Sequence, residues 1–155
     1  MIIYEDLYTL REIYARFSKK ALEQNNEIML IVTASETPDT VRNMLSEYEI
    51  NVQKYESNGS LVIIDSVKGY QRANFYGVLR LIQLLAIRAQ KDSKSGIFSI
   101  GDMGDMGSFF LLGREKELVN YELSIPKRVD IKLKAFCCYH KNDFYLGLAR
   151  INKDN

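Results

Sequence analysis

The sequence predicts an α/β three-layer sandwich, with a mainly parallel sheet flanked by helices. Three observations lead there. Continuous apolar runs such as Ile28-Met29-Leu30-Ile31-Val32 and Leu61-Val62-Ile63-Ile64 read as strands covered on both faces. Between such runs, apolar residues recur at helical spacing. Strand and helix then alternate along the 155 residues with no low-complexity linker, the pattern of βαβ units with right-handed crossovers. The length suits a single domain over residues 1–155, since domains commonly run to about 100–150 residues.

Ile2, Ile3 and Tyr4 form a short first strand. Leu7, Leu10, Ile13 or Tyr14, Phe17 and Ala21 follow at helical spacing. Asp6 is suited to cap that helix, its carboxylate accepting a backbone N–H of the first turn. Asn25 and Asn26 end it, and the run from Ile28 to Val32 is the second strand. The next helix is announced by Thr37 as cap, Pro38 in the first turn and Asp39 at the positive end of the dipole. Val41, Met44, Leu45 and Tyr48 are its buried stripe. Asn58-Gly59 marks a turn into the strand Leu61 to Asp65.

A long helix is expected over Gln71 to Lys91. Phe75, Leu79, Ile82, Leu85 and Ala89 define one face, and Leu81, Leu84 and Ile87 widen it. So broad a stripe calls for deep burial or a second packing partner, such as another subunit. Ser93 to Gly96 is a loop and Ile97 to Ile100 the fourth strand. Gly101-Asp102-Met103-Gly104-Asp105-Met106-Gly107, a tandem repeat, follows it as irregular structure. A helix near Arg114 to Leu123 stops before Pro126. Lys132 to Tyr139 is the last strand, and Asp143 is positioned to cap a brief terminal helix.

The bulk properties exclude several functions. Formal net charge is +1, from 21 basic and 20 acidic side chains, without the basic excess of a dedicated nucleic-acid binder. No apolar run approaches the roughly 20 residues that cross a bilayer. Met1 to Asp6 has no basic n-region, so it does not read as a secretion signal. Cys137 and Cys138 are adjacent and poorly placed to staple distant segments, which points to a reducing compartment, the cytoplasm.

In parallel sheets, ligands collect at the carboxyl ends of the strands. The candidate ligand-binding residues are therefore Glu36, Asp65, Gly101, Asp102, Met103, Asp105 and Tyr139. Asp102 and Asp105 have the hard oxygens that Mg²⁺ favours, but Asp and Gly are also what tight turns need. The turn is the stronger reading, and no metal or cofactor is expected. Met103 and Met106 suit an adaptable pocket or, more simply, the core. Cys137 and Cys138 point to opposite faces of a regular strand and cannot share an ion. They read as buried small hydrophobes. Glu36 has no nucleophile or histidine paired with it, so no catalytic set assembles. Arg11, Arg16, Lys19 and Lys20, diluted by Glu12 and Glu23, read as a solvated helix face.

The run from Lys20 to Asp65 resembles the KaiC/RecA-type ATPases, through Ile31-Val32-Thr33-Ala34-Ser35-Glu36, Val41 to Tyr48, and Tyr55 to Asp65. In those ATPases a phosphate-binding loop precedes the first helix. Here that place holds Tyr4-Glu5-Asp6-Leu7-Tyr8, with neither the glycines that open backbone donors to phosphate nor the lysine that neutralises it. Ile100-Gly101-Asp102-Met103, Glu117 to Leu123 and Phe136-Cys137-Cys138-Tyr139-His140 narrow the likeness to the MEDS domain, the methanogen/methylotroph sensory domain. That family often has a glutamate and a nearby tryptophan after the fourth strand. This chain has Asp102 and no tryptophan.

The resemblance implies a RecA/KaiC-like sheet without its phosphate loop. It also implies a non-catalytic sensory or regulatory role, with a small molecule or protein partner bound at the carboxyl edge. Binding is expected to bias the arrangement of the loop from Gly101 to Gly107. No partner domain accompanies the motifs, so output is expected through contact with another protein. The alternatives are an ATPase-like enzyme with a non-standard phosphate site at Glu36, Asp65 and Asp102, and a structural homo-oligomer built on the helix around Leu84.

Overall fold

The computed structural model describes residues 1–66, 72–104, 120 and 132–145. Its strands are β1 (Ile2–Tyr4), β2 (Ile28–Thr33), β3 (Leu61–Asp65), β4 (Ile97–Asp102) and β5 (Leu133–His140). Its helices are α1 (Leu7–Lys19), α2 (Pro38–Glu47), α3 (Val52–Ser57) and α4 (Arg72–Lys91), with one π-helical turn, Lys20–Gln24, extending α1. The five strands form one sheet in the order β1-β5-β4-β2-β3, and every neighbouring pair is parallel. The expected helix near Arg114 to Leu123 lies outside the described residues, apart from Asn120, which is helical.

Side-chain alternation along each strand divides the core into two layers. Ile28, Leu30 and Val32 of β2 pack with Ile97, Cys137, Tyr139 and the α4 residues Val78, Leu79, Ile82, Leu85 and Ala89. Met29 and Ile31 point the other way, with Leu61, Ile63, Phe98, Ile100 and Cys138, onto α1 and α2 through Leu10, Tyr14, Val41 and Leu45. Helices therefore cover both faces, as the uninterrupted apolar strands require. Part of α4's wide stripe stays in solvent: Leu84 is 56% and Ile87 66% exposed.

Local chemistry sets the element ends. Asp6 accepts the Thr9 backbone N–H at 2.7 Å and the Thr9 hydroxyl at 2.8 Å. Thr37 caps α2 by accepting from the Thr40 N–H, with Pro38 next in the chain. Asn26, at φ +51°, turns the chain from α1's π turn into β2, a left-handed conformation that asparagine tolerates. Gly59, at φ +66°, does the same before β3. The sequence pattern did not show α3, a single short stretch capped by Asn51 through the Lys54 N–H. Asp143 lies inside the helical residues 141–145, not at their cap, because β5 runs on to His140 and the turn begins directly after it.

The Asp6 cap has a pH signature. Hydrogen bonds from the Thr9 backbone and then its hydroxyl hold the Asp6 carboxyl below its ordinary 3.8. A carboxyl lowered by folding stabilises the native state above its unfolded pKa, and that contribution fades as pH falls through the folded value. Asp6→Ala should lower the melting temperature by about 2–5 °C at pH 7. In scans taken at successively lower pH, the gap from wild type should close only below the range where ordinary aspartates titrate.

Candidate functional site

Strand order locates the switch point of the sheet. From β2 the chain passes to β3 on one side. From β3 it returns across to β4 on the other side of β2. The crevice between the carboxyl ends of β2 and β4 is where doubly wound sheets take ligands, and Asp102 stands in it.

Asp102 ends β4 and is 1% exposed. Phe98 and Ile100 lie in the layer facing α1 and α2, and alternation brings Asp102 to that side. A buried carboxylate must be matched by donors, and here there are four. Oδ2 accepts the backbone N–H of Ala34 at 3.2 Å and of Ser35 at 2.7 Å. Oδ1 accepts the Tyr4 hydroxyl at 3.0 Å and the Gly104 N–H at 3.0 Å. One side chain thus fastens together the end of β1, the loop after β2 and the loop after β4.

The surroundings fit this fastening. Tyr4 Oη also meets Ser35 Oγ at 3.0 Å. Burial, then the Asp102 charge, raises the Tyr4 phenol well above its ordinary range, so it stays protonated and donates. A Cβ on Gly104 would run into Ser35 Oγ and lie 3.1 Å from Asp102 Oδ1 and 3.3 Å from Tyr4 Oη. Glycine is needed there for close approach, a role distinct from the mobility that the repeat suggested. Tyr14 is fully buried beside this cluster, and burial, then the Asp102 charge, raise its phenol too.

Glu36, three residues beyond β2, is held by Arg11 of α1. Arg11 Nε lies 3.0 and 3.2 Å from the two carboxylate oxygens, and Nη2 also donates to Oε1. The Glu36 side chain is 5% exposed. Arg11, whose side chain is 41% exposed, anchors the loop to α1 from the solvated face expected of it. Thr33 Oγ1 adds a 2.7 Å bond to the Glu36 carbonyl.

The remaining predicted residues spread along the same edge. Asp65 ends β3 and lines an open cleft of about 670 Å³ with Ile63, Ile64 and the start of α2, Thr37 to Asp39 and Arg42. Arg42 is held at 2.7 Å from Asp39 and 2.8 Å from Glu56. Gly101 is paired between Val32 of β2 and Cys137 of β5. Met103 is 4% exposed and packs in the α4 layer. Tyr139 is in that layer too, its ring 5.9 Å from Phe144. The sheet thus separates Met103 and Tyr139 from Asp102. Asp105 and Met106 lie outside the described residues.

Cys137 and Cys138 fall in opposite core layers, as strand alternation requires. Burial, then the Asp102 charge, pushes the Cys138 thiol up to about 12. A protonated, enclosed thiol is a poor nucleophile and a poor metal ligand. Among the described residues, no three His, Cys, Asp or Glu side chains come together as a metal site.

The head of α1 is also filled from within the chain. Only Glu5 and Asp6 separate β1 from α1, and the Asp6 carboxylate already caps the first turn. Glu5 is drawn toward β5: Lys141 Nζ lies 2.6 Å from its carboxylate and His140 Nε2 3.1 Å from its carbonyl. A helix N-terminus of this kind can hold phosphate; this one holds an aspartate.

Sequence reasoning missed Tyr4, Ser35 and Arg11 as parts of the site. One signal was legible. Counting alternate positions from Phe98 and Ile100 puts Asp102 on a buried face, where a carboxylate needs partners. Nothing in the sequence says which ones.

The family model described as MEDS, the MEthanogen/methylotroph, DcmR Sensory domain, matches residues 1–148. No curated protein and no solved structure matches the chain. Among the described residues, no helix is long and apolar enough to cross a membrane.

Proposed function

The chain belongs to the MEDS family of sensory domains, and from that premise we propose that it is a non-catalytic sensor taking a small molecule at the carboxyl edge of its sheet. The cleft of about 670 Å³ between the end of β3 and the start of α2 is the observation that carries the reading. Its lining mixes an apolar floor, Ile63 and Ile64, with the polar groups of Thr37, Asp39, Arg42 and Asp65, the composition expected of a ligand site. Asp65 is the predicted residue that meets the ligand, while Glu36 and Asp102 shape the loops around it.

The non-catalytic part is supported by what fills the two phosphate positions of a RecA/KaiC-like scaffold. Asp6 caps the helix after β1 and Asp102 occupies the switch point, so negative charge already stands where a triphosphate would need donors. Occupancy of the cleft pulls on Thr37 and hence on the loop after β2, which Asp102 joins to the loop after β4. That bias between loop arrangements is the signal. Its receiver is a second protein or a second copy of the chain, and Leu84 and Ile87 are apolar side chains that α4 offers to one.

A thermal-shift screen over a metabolite panel tests the reading. A true ligand at 100 times its Kd should add about 2.7 kcal/mol of stability, and Asp65→Asn should weaken the response. A shift that Asp65→Asn leaves intact would move the ligand elsewhere. If neither the panel nor pull-downs reveal a ligand or partner, the sensor reading fails.

A further inference from the structure

The four donors around Asp102 share a geometry that does not depend on the rest of that side chain. Two are successive backbone N–H groups, Ala34 and Ser35, turned toward one oxygen. Such paired amides form a concavity that binds anions. The other two, the Tyr4 hydroxyl and the Gly104 N–H, meet the second oxygen. They come from three separate segments and converge on a position that is 1% exposed at the switch point. The bonds from Tyr4, Ala34 and Ser35 span 98, 68 and 67 residues, so the tertiary fold builds that part of the cradle, while the Gly104 bond spans 2 and is a local Asx turn that completes it.

We propose that this cradle is a carboxylate-binding site that the chain fills with its own Asp102, a resident ligand held in cis. The class of anion is set by the fit. Two donors on each of two oxygens match a carboxylate. The site takes a small monocarboxylate. It is also distinct from the cleft beside β3, and stands or falls independently of the sensor reading.

Chemical rescue tests it. Asp102→Gly removes a CH₂–COO⁻ unit, which acetate replaces; Asp102→Ala removes only the carboxylate, which formate replaces. Both variants should melt below wild type, or fail to fold in chloride. Asp102→Gly should then recover several degrees in acetate, saturably, and more than in chloride of equal ionic strength. Asp102→Ala should prefer formate to acetate. Adding Tyr4→Phe to Asp102→Gly should raise the acetate concentration for half-recovery several-fold. Wild type, its cradle filled, should gain no more from either anion than from chloride. Equal recovery in chloride, recovery of wild type as large as that of the variants, or variants that stay unfolded in both anions would each overturn the assignment.

Discussion

Asp102→Asn should be among the most damaging single substitutions in this chain, lowering stability by about 3–5 kcal/mol. The replacement is nearly isosteric, so the loss is not one of packing. An asparagine has one acceptor oxygen and one NH₂ group. Whichever way it turns, the NH₂ faces two donors, either the Ala34 and Ser35 amides or the Tyr4 hydroxyl and Gly104 amide. Facing the two amides, it leaves both without an acceptor; facing Tyr4, it leaves the Gly104 amide alone, because the Tyr4 hydroxyl can accept from the NH₂ and donate to Ser35 Oγ. The orphaned amide costs about 1–3 kcal/mol, and the two surviving bonds to Ala34 and Ser35 each lose about 1 kcal/mol with the charge. Tyr4→Phe removes a single donor and should cost about 1.5–3 kcal/mol, the usual worth of a hydrogen bond to a charged group. Urea unfolding of the three proteins measures both values. A tolerated Asp102→Asn, within about 1 kcal/mol of wild type, would show that the four contacts do not hold the edge together.

The second large effect lies at the opposite end of the sheet. Glu27, at the entry to β2, is 1% exposed. Lys134 of β5 reaches across β4 to place Nζ 2.6 Å from Glu27 Oε1, while Asn25 Nδ2 donates to Oε2 at 3.0 Å. The lysine also lies over the Phe98 ring, 5.7 Å from its centroid. Water reaches Lys134, a third exposed, but not Glu27. Lys134→Met should therefore cost about 3 kcal/mol, because it strands a buried carboxylate. Pairing it with Glu27→Leu should restore most of the loss, since replacing both ions with apolar groups is often neutral. The comparison is a double-mutant cycle read by chemical unfolding. Additive losses in the double variant would mean that the two side chains are not coupled.

These two clusters mark the limit of what could be read without coordinates. The apolar runs of β2 and β3 identified strands buried on both faces. Thr37-Pro38-Asp39 and Asp6 announced the starts of α2 and α1, and Asn26 and Gly59 stand at breaks the sequence marked. Asp65 was found at the lip of the open cleft by the rule that parallel sheets bind at their carboxyl ends. Met103 was legible as core. Asp102 was legible as important but not as saturated, and Arg11 was legible as solvated but not as the partner of Glu36. The close contact that Gly104 allows was not legible.

Local pattern and composition determined the α/β class, most strand and helix positions and the caps. Each of these rests on neighbours within a few residues: a cap reaches its third amide, and a stripe repeats every turn. Strand order, the switch point and the partners of Asp102 and Glu27 were decided only by the tertiary structure. Tyr4 and Asp102 are 98 residues apart, and Glu27 and Lys134 are 107. Contacts at that separation follow from which strands lie side by side, and sequence spacing carries no trace of it.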